Sequence, residues 1–325
     1  ASSDLKGKLA VVTGGDAGLG YATALAFAKG GATVVLATHN RKKGERAARE
    51  IASLTGADVS APWVCDLSSL ASVQSFAISF LTKFGSKLNF LINNAGIEGP
   101  SMIDEDGFEL VFQVDYLGHF LLTELLLPAL RNGSPSFIVN VGSGVHENAC
   151  ESAGWPEGCF KDFAYLPPPA VPTRPVIVHY HSGPAWINAS SYGIGKFLVI
   201  QHSAELARRE ADKGVKAISV TPGLLNTSFN SGFNYSSPYY SIFCGSQLHP
   251  PSLPAQPCPF SAGQAAAVIA FCVSGRAKSG SYYSRSFACA ERPVVDHGMT
   301  QEVRSELYSR SLEWVGLRKG ELIFF

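Results

Sequence analysis

No uninterrupted apolar run in this chain approaches the roughly 20 residues that a membrane-spanning helix needs. The longest candidate, residues 120–130, is broken by Thr123, Glu124 and Pro128, so a soluble fold is expected and the run reads as a buried core helix or a dimer face. An excess of charge of either sign is also lacking. The 26 Lys+Arg and 26 Asp+Glu cancel, which leaves no field to steer the chain toward nucleic acid or anionic membrane and favours small molecules or protein partners. Metal spacing is absent as well: the seven cysteines form no C-x-x-C, and His119, His146, His179 and His181 show no ligand spacing. The odd cysteine count suggests no disulfide framework, although Cys150, Cys159, Cys244 and Cys258 fall in irregular segments where one or two bridges have room to form. The chain begins at Ala1 without a signal-peptide core or an Arg-rich presequence, so a targeting segment is expected to have been removed or left out, and the compartment is unreadable.

What is present is a chain of 325 residues, 46% hydrophobic, enough for one large domain with a sizeable core. Residues 8–13 read as a buried strand. Gly14-Gly15-Asp16-Ala17-Gly18-Leu19-Gly20 follows at once, and then a helical pattern to Lys29. Strand, glycine turn and helix form a phosphate cradle, because glycines let the backbone approach a pyrophosphate and a helix N-terminus offers free N–H groups. A second strand at 33–37 completes a βαβ unit. It ends in Thr38-His39-Asn40-Arg41-Lys42-Lys43, with no carboxylate for a ribose 2′-hydroxyl, so NADP(H) is preferred and NAD(H) is the second choice. Asp16 opposes that preference slightly.

Helices at 43–54 and 70–84 alternate with strands at 61–65 and 88–92, the latter running into Asn93-Asn94-Ala95-Gly96. Two helical stretches around Gly118, a strand at 136–141 closed by Gly142-Ser143, a helix at 190–213 and a strand at 215–220 continue the pattern. A helix at 261–273, a strand at 281–287 and a helix at 301–315 complete it. This alternation predicts an α/β fold with a Rossmann-like, doubly wound parallel sheet, whose ligands sit at the carboxyl edge of the strands. Two irregular segments interrupt a single domain. Residues 145–189 carry seven prolines, and residues 224–260 carry six with Phe229, Phe233, Tyr235, Tyr239, Tyr240 and Phe243; such aromatics suit an apolar substrate or simple loop packing.

Within the helix at 190–213, Tyr192 and Lys196 lie four residues apart and so share one helix face. An ammonium near a phenol favours the phenolate and would lower a pKa that is about 10 in isolation, making Tyr192 a usable proton donor and acceptor.

Thr13-Gly14-x-x-x-Gly18-x-Gly20, Asp66-Leu67, Asn93-Asn94-Ala95-Gly96, Ser143, Tyr192-x-x-x-Lys196 and Pro222-Gly223, in this order and at strand ends, resemble the short-chain dehydrogenase/reductase family. Residues 114–123, 43–45 and 205–209 look like its retinol dehydrogenase and protochlorophyllide reductase branch. The resemblance implies Tyr192 as general acid/base, Lys196 lowering its pKa and holding the nicotinamide ribose, and Ser143 bonding the substrate oxygen. It implies Asp66 and Leu67 near the adenine, Asn93 and Gly96 along the cofactor, and Pro222, Gly223 and Thr227 at the carboxamide and pyrophosphate. Gly14, Asp16, Gly18, Leu19, Gly20, Thr38, His39, Asn40, Arg41, Ala95, Val114 and Leu225 complete the implied cofactor contacts.

Two departures stand out. The fourth catalytic position of the family, usually Asn, is Asp115 here, whose charge would disturb Lys196. The separation of Ser143 from Tyr192 is also several times the family's usual spacing, so residues 145–189 form an insert beside the site, able to cover a bulky substrate, block dimerisation or dock a protein. The expectation is an NADP(H)-dependent oxidoreductase acting on a carbonyl or alcohol of an apolar substrate such as a retinoid, sterol, lipid aldehyde or tetrapyrrole. Two alternatives stand beside it: a structural or assembly subunit with weak or no catalysis, and a protochlorophyllide reductase-like enzyme. Monomer and dimer are both compatible with the sequence.

Overall fold

The computed structural model describes residues 4–98, 102–152, 159–161, 190–223, 225, 260–284 and 289–317. Its centre is an eight-stranded sheet in the order β3-β2-β1-β4-β5-β6-β7-β8. The strands are β1 (Leu9–Thr13), β2 (Thr33–Ala37), β3 (Val59–Ser60), β4 (Phe90–Asn93), β5 (Ser136–Val141), β6 (Val215–Thr221), β7 (Tyr282–Ser284) and β8 (Ala290–Arg292). Neighbours pair in parallel as far as β7, and β8 returns antiparallel along it. The strand order reverses direction between β1 and β4, and the crevice beyond their carboxyl ends is where open sheets of this kind take ligands.

Period-two alternation sorts the strand side chains onto two buried faces. Val11, Leu91, Ile138 and Ala217 face one core, which is covered by α3 (Leu70–Phe84), α4 (Leu110–Asn132), α6 (Ser190–Arg209) and α8 (Gln301–Trp314). Ala10, Val12, Ile92, Val139 and Ile218 face the other, under α1 (Gly18–Lys29), α2 (Arg41–Thr55) and α7 (Ala262–Val273). A short helix, α5 (Ala149–Ser152), follows β5 after a 3-10 turn at Gly144–Asn148.

Two expectations need correction. The strand expected at 61–65 is displaced to Val59–Ser60, because Pro62 interrupts the ladder; only the single bridge Thr38↔Val64 survives beyond it. The two helical stretches expected around Gly118 are one helix, since Gly118 is helical and fits where a Cβ would meet the Leu67 carbonyl. That helix is long and apolar enough to cross a membrane, but most of its apolar stretch is buried within the fold. In the first irregular segment, where one or two bridges have room to form, a disulfide joins Cys150 to Cys159, although the odd cysteine count suggests no framework. Of the residues in the two irregular segments, only 145–152, 159–161, 225 and 260 are described.

Candidate active site

The glycine loop leaves β1 at Gly14 and enters α1 at Gly18. Its N-cap residue, Ala17, offers no side-chain hydrogen bond, and the first turn holds no acid, so the helix presents uncapped N–H groups and a favourable dipole to an anion. A Cβ at Gly20 would strike the Gly14 carbonyl and come within 2.6 Å of Asn94 Nδ2; only glycine permits this closure. Thr13 ties the loop to β4. Its hydroxyl accepts from the Asn94 and Ala95 backbone N–H groups at 2.8 and 3.0 Å, and Asn94 Nδ2 donates to the Thr13 carbonyl at 2.9 Å. His119 Nε2 lies 2.9 Å from the same hydroxyl. Burial, reinforced by the charge of Lys196, pushes the His119 pKa down to about 3, so this imidazole is neutral and serves as a hydrogen-bonding strut.

One turn before His119, the helix α4 widens into a π turn over Gln113–Leu117, a local unwinding that recurs at functional sites. Asp115 sits in its middle, fully buried. Its Oδ1 accepts from Ile97 N at 2.8 Å, and its Oδ2 lies 3.3 Å from Lys196 Nζ. That second contact is an ion pair without the alignment of a hydrogen bond. Lys196, itself buried, also donates to the Val141 carbonyl at 3.3 Å. A Cβ at Gly96 would lie 2.8 Å from Lys196 Nζ, so the glycine of Asn93-Asn94-Ala95-Gly96 makes room for the ammonium.

Tyr192 presents its ring 5.3 Å from Lys196 Nζ, and its phenol bonds the side chain of Ser143. Ser143 also caps the 3-10 turn, accepting from Val145 N at 3.4 Å. Ser143, Tyr192, Lys196 and Asp115 therefore converge at the carboxyl edge of β4 and β5. The electrostatics depart from expectation. Burial pushes the Tyr192 phenol well above its ordinary range, and the charges of Asp115 and Glu98 push it further, while the Ser143 bond pulls it down. Burial also raises the Asp115 carboxyl, opposed by the charge of Lys196 and by Ile97 N.

The short chain dehydrogenase family model matches residues 8–154. Human retinol dehydrogenase 13 (Homo sapiens) is 31% identical over 98% of this chain and 87% of its own length. The chain belongs to the short-chain dehydrogenase/reductase family. Within it the resemblance is to the retinol dehydrogenase branch. Human retinol dehydrogenase 11 is 37% identical over 69% of this chain and 63% of its own length, and Bos taurus dehydrogenase/reductase SDR family member 13 is 35% identical over 69% and 53%, so the matched segment spans between half and two thirds of these two relatives. Among solved structures, an uncharacterised Mycobacterium Paratuberculosis protein superposes with a TM-score of 0.67 at 25% identity, covering 97% of this chain and 96% of its own. L-Sorbose reductase from Gluconobacter frateurii, complexed with NADPH and L-sorbose, superposes at 0.61 with 21% identity over 87% of this chain and 97% of its own; that likeness concerns the fold.

The cofactor residues expected of this short-chain dehydrogenase/reductase are placed unevenly. Gly14, Asp16, Gly18, Leu19 and Gly20 form the loop and first turn described above. His39 and Arg41 are exposed past the end of β2, Arg41 paired with Glu45 at 2.9 Å. Thr38 is buried and donates to the Asn40 carbonyl, and Asn40 caps α2 by accepting from Lys43 N, so both side chains are already engaged. Asp66 accepts from the N–H and hydroxyl of Ser68, and Leu67 is buried against α4. The side chain of Asn93 is buried and donates to Thr123 and Asn140. Ala95 and Gly96 continue the edge, Val114 lies in the π turn, Pro222 and Gly223 close β6, and Leu225 bridges to Phe260. Thr227 lies outside the described residues. Sequence reading missed the clamp made by Asn94, the strut made by His119, and Glu98 beside Tyr192. The spacing of His119, four residues after Asp115 on one helix, was the available signal.

Proposed function

We propose that this chain is an NADP(H)-dependent oxidoreductase that reduces the carbonyl of an apolar substrate, with Tyr192 as the proton donor. The observation that carries the reading is the meeting of the Ser143-bound phenol of Tyr192 with Lys196 beside an uncapped, glycine-lined helix N-terminus. The residues fit a dinucleotide. The α1 N-terminus would hold its pyrophosphate, and the exposed His39 and Arg41, with no acid at the end of β2, favour a 2′-phosphate over a bare ribose. Bound there, the cofactor supplies the hydride.

The protein's own part is to hold and move a proton. A phenol whose pKa is pushed up stays protonated at neutral pH, so Tyr192 donates to the carbonyl oxygen as it gains charge, and Ser143 bonds the same oxygen. Exposed Met102 and Ile103 on the segment between β4 and α4, and the names of the retinol dehydrogenase relatives, support an apolar substrate such as a retinoid. The test is NADPH consumption on a panel of long-chain and isoprenoid aldehydes, with NADH as the competing cofactor. A preference for NADPH and turnover of an apolar aldehyde support the reading; binding of neither nucleotide overturns it.

A second reading, a family member acting as an assembly subunit with weak or no catalysis, is favoured by Asp115, which pairs with Lys196 and whose charge raises the phenol of Tyr192. It predicts isolation in a stable complex with no turnover on that panel, and recovery of turnover in Asp115→Asn would count against it.

A further inference from the structure

Two buried histidines outside the proton site form a chain of hydrogen bonds that ends on Ser143. His297, on the loop before α8, places Nε2 2.8 Å from the carbonyl of His146; a carbonyl only accepts, so the imidazole donates. His146 in turn places Nδ1 2.7 Å from the carbonyl of Ser143, again as donor. Both rings are buried. The anchoring of His297 is unusually firm: its backbone is left-handed, with φ 45, its own carbonyl accepts from Phe160 N at 3.1 Å, and its ring packs edge-on against Phe197 at 5.1 Å. Phe197 is the residue after Lys196 and stacks on Phe160 at 4.7 Å. Phe160 follows Cys159, which the disulfide fastens to Cys150 on α5.

A left-handed, β-carbon-bearing residue persists only where its surroundings over-determine it. Here those surroundings are the turn that carries Ser143, the helix that carries Lys196, and Phe160 beside the bridged Cys159. We propose that His297 is a positioning residue: through His146 it fixes the Ser143 turn against α6, and so sets the hydroxyl of Ser143 on the phenol of Tyr192. This rests on the reading of Tyr192 and Ser143 as the groups that handle the substrate oxygen.

The test compares His297→Phe, which keeps a ring on Phe197 but loses the donor, with His297→Gln, which keeps a side-chain N–H of similar reach. Steady-state reduction of the best aldehyde of the panel and NADPH binding are measured for both, beside Tyr192→Phe. The phenylalanine variant is expected to lose kcat by about tenfold to a hundredfold, as small misplacements of reacting groups do, with NADPH binding unchanged. The alkaline limb of its pH profile is expected to move upward, because the Ser143 bond that favours the phenolate is weakened. The glutamine variant is expected to restore most of kcat. In a Ser143→Ala background, His297→Phe should remove nothing further. Wild-type kcat and pH profile in His297→Phe, no rescue by glutamine, or an additive loss in the Ser143→Ala background overturns the proposal. If Tyr192→Phe itself retains full turnover, the underlying reading has failed instead. Should His297→Phe fail to bind NADPH, the comparison of His297→Gln with wild type in the Ser143→Ala and Ser143 backgrounds decides: equal loss in both overturns the proposal, and a loss confined to the Ser143 background supports it.

Discussion

At the scale of single residues, the balance between Asp115 and Lys196 sets the chemistry. A buried ammonium with no partner would be costly, and Asp115 satisfies Lys196 at 3.3 Å. The same negative charge raises the phenol of Tyr192. Asp115→Asn removes that charge while leaving an oxygen for Ile97 N, so the Tyr192 pKa falls and the alkaline limb of carbonyl reduction moves to lower pH, by about one unit or more for a neighbouring charge. A pH profile of kcat measures this, and an unmoved limb would show that Asp115 does not act on Tyr192. Thr13 offers a second prediction. Its hydroxyl accepts two backbone N–H groups, so Thr13→Val strands both and should destabilise the fold by about 2–3 kcal/mol while weakening NADPH binding, both readable by thermal unfolding with and without nucleotide.

At the scale of elements, the π turn at Gln113–Leu117, which carries Asp115, is what turns a common sheet into this site. The strands were legible because both sheet faces are buried, which leaves apolar runs such as Thr33–Ala37, and the glycine motifs were legible because close approach excludes every other residue. Tyr192-x-x-x-Lys196 was legible as spacing on one helix face. That Asp115 would disturb Lys196 was legible from the family's fourth catalytic position and is met by their ion pair; the upward push on the Tyr192 phenol was not, since it comes first from burial, which spacing on one helix does not report. The Cys150–Cys159 bridge was legible only as a pair among four candidate cysteines: its two members are separated by 9 positions, and spacing alone does not choose between them and Cys244 or Cys258. Both are buried. Closing so short a loop is worth about 2–3 kcal/mol, so the double variant Cys150→Ala/Cys159→Ala is expected to unfold that much more easily in denaturant. No change in its midpoint would mean that the bridge holds nothing.

At the scale of the whole molecule, the C-terminal helix α8 seals the outer side of α4 and α6. The Tyr116 hydroxyl and Ser311 Oγ share a hydrogen bond, Tyr308 packs on Phe120, and Arg304 donates to Gln201. Beneath it, Glu210 accepts two bonds from Arg131 at 2.7 Å and one from Lys213, tying the residue that follows α6 to the end of α4. Burial raises the Glu210 carboxyl, but Arg131 and Lys213 outweigh it and the pKa is lowered from 4.5. A depressed carboxyl contributes stability above its unfolded pKa and loses it as pH falls through the folded value. Glu210→Gln should therefore destabilise the fold at neutral pH by about 2 kcal/mol, given a half-exposed Arg131, and the difference from wild type should vanish as pH falls through the lowered folded pKa of Glu210. A difference that persists in acid would place the effect in packing rather than charge.

These scales meet in Tyr192. The most direct test of the account is the pre-steady-state reduction of an apolar aldehyde by the NADPH-loaded protein, wild type beside Tyr192→Phe. The account predicts that both bind NADPH alike and that the variant reduces the aldehyde about 10²–10⁴-fold more slowly, the span of general acid catalysis. Equal rates would contradict it, because the proton would then come from elsewhere.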